Sequence, residues 1–116
     1  GKIFNNSKFD LIINISEDGW FGNSIGPKQH FAHNIFRAIE SGKYLLRSAN
    51  NGIAAIINPL GIVEQKVEYG KSGYVDFKEA KKIQPTLFAK YGNKIFITLI
   101  LLYIFIIFSF NRIKNE

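Results

Sequence analysis

No cysteine and no methionine occur among the 116 residues, and tryptophan occurs once. Without cysteine these residues contain no disulfide, no thiolate metal site and no sulfur nucleophile. Two histidines, His30 and His33, are too few for a histidine-rich metal centre. They stand three apart on an expected helix with no third ligand nearby, so neither a metal nor a cofactor is expected. Acidic residues are also scarce, nine against fifteen basic, for a formal net charge of +6. That balance invites a nucleic-acid reading. The lysines are scattered, however, with no dense basic helix and no basic stripe interleaved with aromatics. Isoleucine, lysine and asparagine are abundant throughout, as in proteins of AT-rich genomes, so no nucleic-acid partner is expected. The first residue is Gly1 rather than Met, no signal sequence follows, and the chain is read as a fragment.

Charge is missing altogether from one stretch, "IFITLILLYIFIIFSF", residues 95–110, whose only polar interruptions are Thr98, Tyr103 and Ser109. Every face of a helix built from it is apolar, so it reads as a membrane span over 94–111 rather than as the core helix of a soluble domain. Isoleucine is a modest helix former in water. In lipid the backbone must satisfy its own hydrogen bonds, which favours a helix. Lys90, Tyr91, Lys94 and Arg112 flank the run as candidate interface anchors. Lysine and arginine lie on both sides, so charge alone sets no orientation.

The remaining chain, 1–80, reads as an α/β domain, with 81–93 as a juxtamembrane linker and 112–116 as a short tail. "FDLIINIS" is a strand with a near-continuous apolar run. "GPKQHFAHNIFRAIESGK" is a helix with Pro27 in its first turn and Gly42 at its end. Phe31, Ile35, Ala38 and Ile39 share one face of it. "YLLRSA", "IAAIINP" and "IVEQKVEY" are strands, separated by turns at Asn50-Asn51-Gly52 and Pro59-Leu60-Gly61. "GYVDF" is a possible fifth strand. A parallel start and an antiparallel finish give a mixed sheet.

The candidate site lies in "ISEDGWFGNSIGPKQHF", residues 15–31, beyond the end of the first strand, where ligands collect in open α/β sheets. Asn14, Ser16, Asp18 and His30 supply polar groups there, and Trp20 and Phe21 supply stiff apolar area. The readings for Trp20 are a pocket wall or a cover folded back over the helix. Glu17 and Asp18 are adjacent and would point apart, so a paired-carboxylate acid/base device is a weak inference, and one of them is free to bond loop amides. Arg37 and Glu40, three apart, read as a helix ion pair. Asn50 and Asn51 line the same sheet end or form a plain turn. No G-x-S-x-G, Walker or H-E-x-x-H motif is present.

Several spaced motifs together resemble a known family. Asn14–Gly22 reads N-I-S-E-D-G-W-F-G, Gly26–His30 reads G-P-K-Q-H, Arg37–Glu40 reads R-A-I-E, and Leu45–Gly52 reads L-L-R-S-A-N-N-G. With "TLFAKYGN" at Thr86–Asn93, this is similar to the carbon–nitrogen hydrolase (nitrilase) domain of bacterial apolipoprotein N-acyltransferases and the segment before their last membrane helix. Glu17 departs from the family, which commonly has Asn there. The resemblance implies the C-terminal half of a nitrilase-type α-β-β-α sandwich followed by one transmembrane helix. It implies transfer of an acyl chain from a phospholipid donor to the N-terminal amine of a diacylglyceryl apolipoprotein, through a thioester. The family's Glu-Lys-Cys triad would lie upstream of Gly1, so no catalytic residue is expected here and the fragment alone should be inactive. The complete enzyme would be a monomer of the bacterial inner membrane with its catalytic domain in the periplasm. A membrane-tethered amidase and a non-catalytic anchored periplasmic domain are the alternatives.

Overall fold

The computed structural model describes residues 9–114. Four strands form one sheet: β1 Leu11–Glu17, β2 Tyr44–Asn50, β3 Ala54–Ile57 and β4 Val63–Val67, in the order β1-β2-β3-β4. β1 and β2 are parallel because helix α1, Gly26–Ser41, carries the chain back between them. β2, β3 and β4 are joined by short turns and run antiparallel. The mixed α/β architecture read from the sequence is the one observed.

Alternation along the strands decides where the core sits. Leu45, Ala55 and Ile57 face α1 and pack with Ala38, and Ile12, Phe31, Ile35 and Val63 close around them. Burying an aliphatic side chain such as Leu45 or Ile57 contributes roughly 1.5–3 kcal/mol. Helix α1 ends at Gly42, whose left-handed backbone (φ 65°, ψ 35°) lets its amide bond the carbonyls of Ala38 and Ile39. Ile39 sits outside the compact cluster, 41% exposed, and leans instead over the turn at Gly61. The opposite sheet face leaves Ile13 and Ile15 66% and 83% exposed.

Three expectations need correction. "GYVDF" does not form a strand. The Gln65 side-chain amide accepts from the Asp76 amide at 3.0 Å and donates to its carbonyl at 2.9 Å, so this segment is tied to β4 through a side chain rather than a backbone ladder. Asn50 belongs to β2 and not to the turn: its carbonyl accepts from the Asp18 amide at 2.9 Å, prolonging the parallel pairing. The turn residue is Asn51, with φ 50°. The expected linker also contains a helix, α2 Leu87–Tyr91, which begins where Thr86 accepts from the Ala89 amide at 3.1 Å. The Thr86 hydroxyl donates in turn to the Glu40 carbonyl at 2.8 Å, fastening α2 to the end of α1.

The last element, α3, runs Lys94–Lys114. Its 21 residues make a helix about 31 Å long, close to the thickness of a hydrocarbon core. The stretch Lys94–Arg112 has a mean hydropathy of 2.2 and is not covered by the rest of the molecule. Thr98 donates to the Lys94 carbonyl at 2.8 Å, so one of its few polar groups is satisfied within the helix. Lys90, Tyr91, Lys94 and Arg112 are all exposed, with Lys94 and Arg112 at the two ends of the apolar stretch.

Candidate functional site

At the carboxyl ends of β1 and β2 the α1-facing side of the sheet changes from apolar to polar. Ile12, Asn14 and Ser16 alternate onto that side from β1, and Leu45 and Arg47 from β2. Asn14 lies opposite Arg47 in register. The core thus grades from Ile12 and Leu45 into a buried polar cluster centred on Arg47, which is 2% exposed.

The Arg47 guanidinium donates in several directions. Nε bonds the Ile53 carbonyl at 3.0 Å, Nη1 the Asn14 side-chain oxygen at 2.6 Å, and Nη2 the Asp18 Oδ2 at 2.6 Å. Ser16 Oγ lies a further 3.4 Å from Nη2. Asp18 has no exposed surface. Its Oδ1 accepts from Ser16 Oγ at 2.7 Å and lies 2.8 Å from His30 Nδ1. Both charges are therefore saturated, the condition on which burying an ion pair is tolerated. Burial alone would raise the Asp18 carboxyl. The hydrogen bonds from Ser16, Arg47 and His30, with the charge of Arg47, outweigh it and hold the group below the ordinary carboxylate range.

Local sequence explains how the loop reaches this position. After β1 the chain makes a single 3-10 turn over Gly19–Phe21. Gly52, after β2, must lack a side chain, since a Cβ there would stand 2.4 Å from Asp18 Oδ2. Helix α1 starts close to the loop, where Ser24 Oγ accepts from the Gly26 amide at 3.1 Å. His30 sits one turn into α1. Its backbone carbonyl accepts from the buried Asn34 side chain at 2.9 Å, and its ring meets Phe21 edge-on with centroids 5.8 Å apart.

Of the residues expected at the site, Asn14, Ser16, Asp18 and His30 come together around Arg47. Asn50 and Asn51 do not join them. They lie on an exposed rim, where both amides donate to Glu17. Glu17 also accepts from the Gly19 amide at 2.7 Å, and these bonds hold its carboxyl below its usual value. Adjacent in sequence, Glu17 and Asp18 point apart, one to the rim and one to the interior. Phe21 touches the cluster, whereas Trp20 is 85% exposed and does not cover α1. His33 is exposed and separated in role from His30; among the described residues no group of three or more potential ligands is arranged to hold a metal. Arg37 and Glu40 form the expected ion pair, 2.7 Å apart.

The residue that sequence reasoning passed over is Arg47. Its signal was present: in "YLLRSAN" it stands two positions from Leu45 and so shares the buried side of the strand. An arginine alternating onto a core face requires a buried anion, and Asp18 provides one.

A family model described as carbon–nitrogen hydrolase matches residues 3–76. The apolipoprotein N-acyltransferase of Rickettsia bellii (strain RML369-C) is 47% identical over 113 residues, covering 97% of this chain and 22% of the relative. That of Rickettsia prowazekii (strain Madrid E) is 38% identical over 113 residues, covering 97% and 23%. That of Bradyrhizobium diazoefficiens is 42% identical over 88 residues, covering 76% and 16%. The chain thus spans about a fifth of the length of the two rickettsial relatives. Similarity to these does not stop at residue 76; at 97% coverage it runs through α2 and most of α3.

Proposed function

The chain belongs to the carbon–nitrogen hydrolase family, and from that premise we propose that it is part of an apolipoprotein N-acyltransferase. The observation that carries this reading is the continuous similarity across domain and apolar helix together, at 47% identity over 113 residues. A soluble hydrolase of the family has no need of a 19-residue uncovered apolar stretch directly after its domain. In the proposed reaction an acyl chain passes from a phospholipid to an enzyme thiol, and from that thioester to the amine of a diacylglyceryl apolipoprotein. Two steps let a stable ester donor reach an amine acceptor. With no cysteine in these residues, the thiol comes from outside them; the family resemblance puts the glutamate and lysine of the triad outside them as well.

On this reading each region has a task. Arg47 and Asp18 hold the loop after β1 in one shape. Trp20, largely exposed in that loop, offers apolar wall to an acyl chain and with Phe21 shields the thioester from water. Helix α3 places the domain at the bilayer, where both substrates reside, and so raises their effective concentration. Lys90, Tyr91, Lys94 and Arg112 are its headgroup anchors. The complete enzyme is a monomer of the inner membrane with this domain on the periplasmic side.

The test is a chimera: the full-length Rickettsia bellii enzyme with these 116 residues in place of its matching region. It should form a phospholipid-derived thioester and pass it to a lipopeptide amine, and Trp20→Ala should shorten the thioester's lifetime. A chimera that hydrolyses small amides without lipid and forms no lipid thioester would favour a membrane-tethered amidase instead.

A further inference from the structure

We infer that a second surface, carried by the domain itself, rests on the lipid headgroup layer: Leu87 and Tyr91 of α2, Ile39 near the end of α1, and Leu60 and Ile62 at the turn between β3 and β4. The inference rests on the membrane-anchored reading above. It adds to α3 a face that fixes how the domain lies on the bilayer.

Chain length sets the depth of α2. Only Gly92 and Asn93 separate it from α3. The three residue steps from Tyr91 to Lys94 reach at most about 11 Å when extended. Here they are bent, because Gly92 has φ 55° and its amide closes α2 on the Phe88 carbonyl at 2.7 Å. Tyr91 lines one cleft with Lys94, Ile95 and Leu99, so α2 stays beside the first turns of the span. The headgroup layer on each side of a hydrocarbon core is about 5–8 Å deep, and Lys94 stands at the edge of the apolar stretch. Helix α2 therefore lies in that layer. Leu87 and Tyr91, one turn apart on it, are 70% and 55% exposed. Phe88 and Ala89 are half-buried, and Thr86 fastens the helix to the Glu40 carbonyl.

Topology adds the rest of the surface. Helix α1 ends, β2 begins and β3 turns into β4 at one end of the sheet, since Leu45 pairs with Ile57. Ile39 is one residue from the carbonyl to which α2 is fastened. It leans on the turn, where a Cβ at Gly61 would stand 2.6 Å from Ile39 Cδ1. Leu60 and Ile62 flank that glycine and are 66% and 58% exposed. Exposed apolar side chains gathered in this way mark an interaction surface.

Charge favours lipid as the occupant. Asp10, Glu40 and Glu64, at the same end, are engaged by Lys82, by Arg37 and by Tyr44 with Asn58. Lys90 and Lys94 are exposed and have no ion pair among the described residues. Apolar side chains bordered by free cations suit acyl chains lying under phosphates, and such a surface lies in the interface plane.

The experiment uses the full-length chimera in native membranes, with photoreactive p-benzoylphenylalanine replacing Leu60, Ile62 or Leu87 one at a time. All three side chains are exposed, so the core is left intact. Irradiation should shift the mass of the labelled peptide by one phospholipid at each position. A link to the upstream part of the same chain, a link to a second copy, or no adduct at Leu60 and Ile62 would each overturn the inference. The premise is read separately by the same replacement at Ile104, Phe105, Ile106 and Ile107, which together point all round α3. No lipid adduct at any of these four would remove the membrane-anchored reading and this inference with it. Lipid adducts there, with none at Leu60 and Ile62, would remove the second surface alone.

Discussion

The strand-end cluster and helix α3 reverse the usual distribution of polarity in opposite ways. One encloses an arginine and an aspartate with almost no exposed surface; the other leaves Phe105, Phe108 and Phe110 at 69%, 69% and 70% exposure. In the cluster, burial is tolerated because Asn14, Ser16, His30 and the Ile53 carbonyl saturate the two charges. For α3 the proposed reading supplies lipid as the medium, in which such exposure costs nothing and the helix satisfies its own backbone. The contrast teaches that polarity alone does not tell inside from outside. What decides is whether each group finds a partner in the medium it meets.

The largest expected effect comes from breaking the cluster on one side. Arg47→Met leaves the Asp18 carboxylate buried without its cation and should cost about 3–5 kcal/mol, read from denaturant unfolding in detergent micelles. Combining it with Asp18→Asn should cost less than the two single changes added together, since the second change removes the stranded charge. The same pair predicts the response to acid. Asp18 titrates below its unfolded value, so its contribution is complete above the ordinary aspartate range, near 3.8, and is lost as pH falls below it. Asp18→Asn should flatten that part of the stability profile, and an unchanged profile would deny the carboxylate its role.

Next in size is a charge placed in the other region. Ile104→Lys, near the middle of α3, should disfavour membrane insertion by about 2.5–3.5 kcal/mol, measured as the inserted fraction in a translocation assay. No change in that fraction would mean that α3 does not cross a bilayer, and the contrast between the regions would dissolve. The smallest effect is expected at the joint between them. Thr86→Ala removes the cap of α2 and its bond to Glu40, and should cost about 1 kcal/mol in thermal unfolding.

Much of the fold was legible in the residues. The apolar alternation in "LIINIS", the Pro27 and Gly42 bounds of α1 and the uncharged run at 95–110 each mark an element through local chemistry. The fifth strand was misread because a short alternating segment cannot announce that Gln65 will meet it through a side chain. Helix α2 was missed because five residues carry too little periodicity, although Thr86 and Gly92 marked its ends. The candidate site was half legible. Asn14, Ser16, Asp18 and His30 lie on or close to one loop, but Arg47 comes from a strand 29 residues beyond Asp18.

By itself the sequence determined the strands, the long helix, the apolar span and the loop where polar residues gather, because each depends on neighbours a few positions apart. Only the tertiary structure decided that Asp18 turns inward while Glu17 turns out, and that Arg47 is the counterion of Asp18. A buried charge finds its counterion by three-dimensional proximity, which the parallel register of β1 and β2 creates and no local pattern encodes.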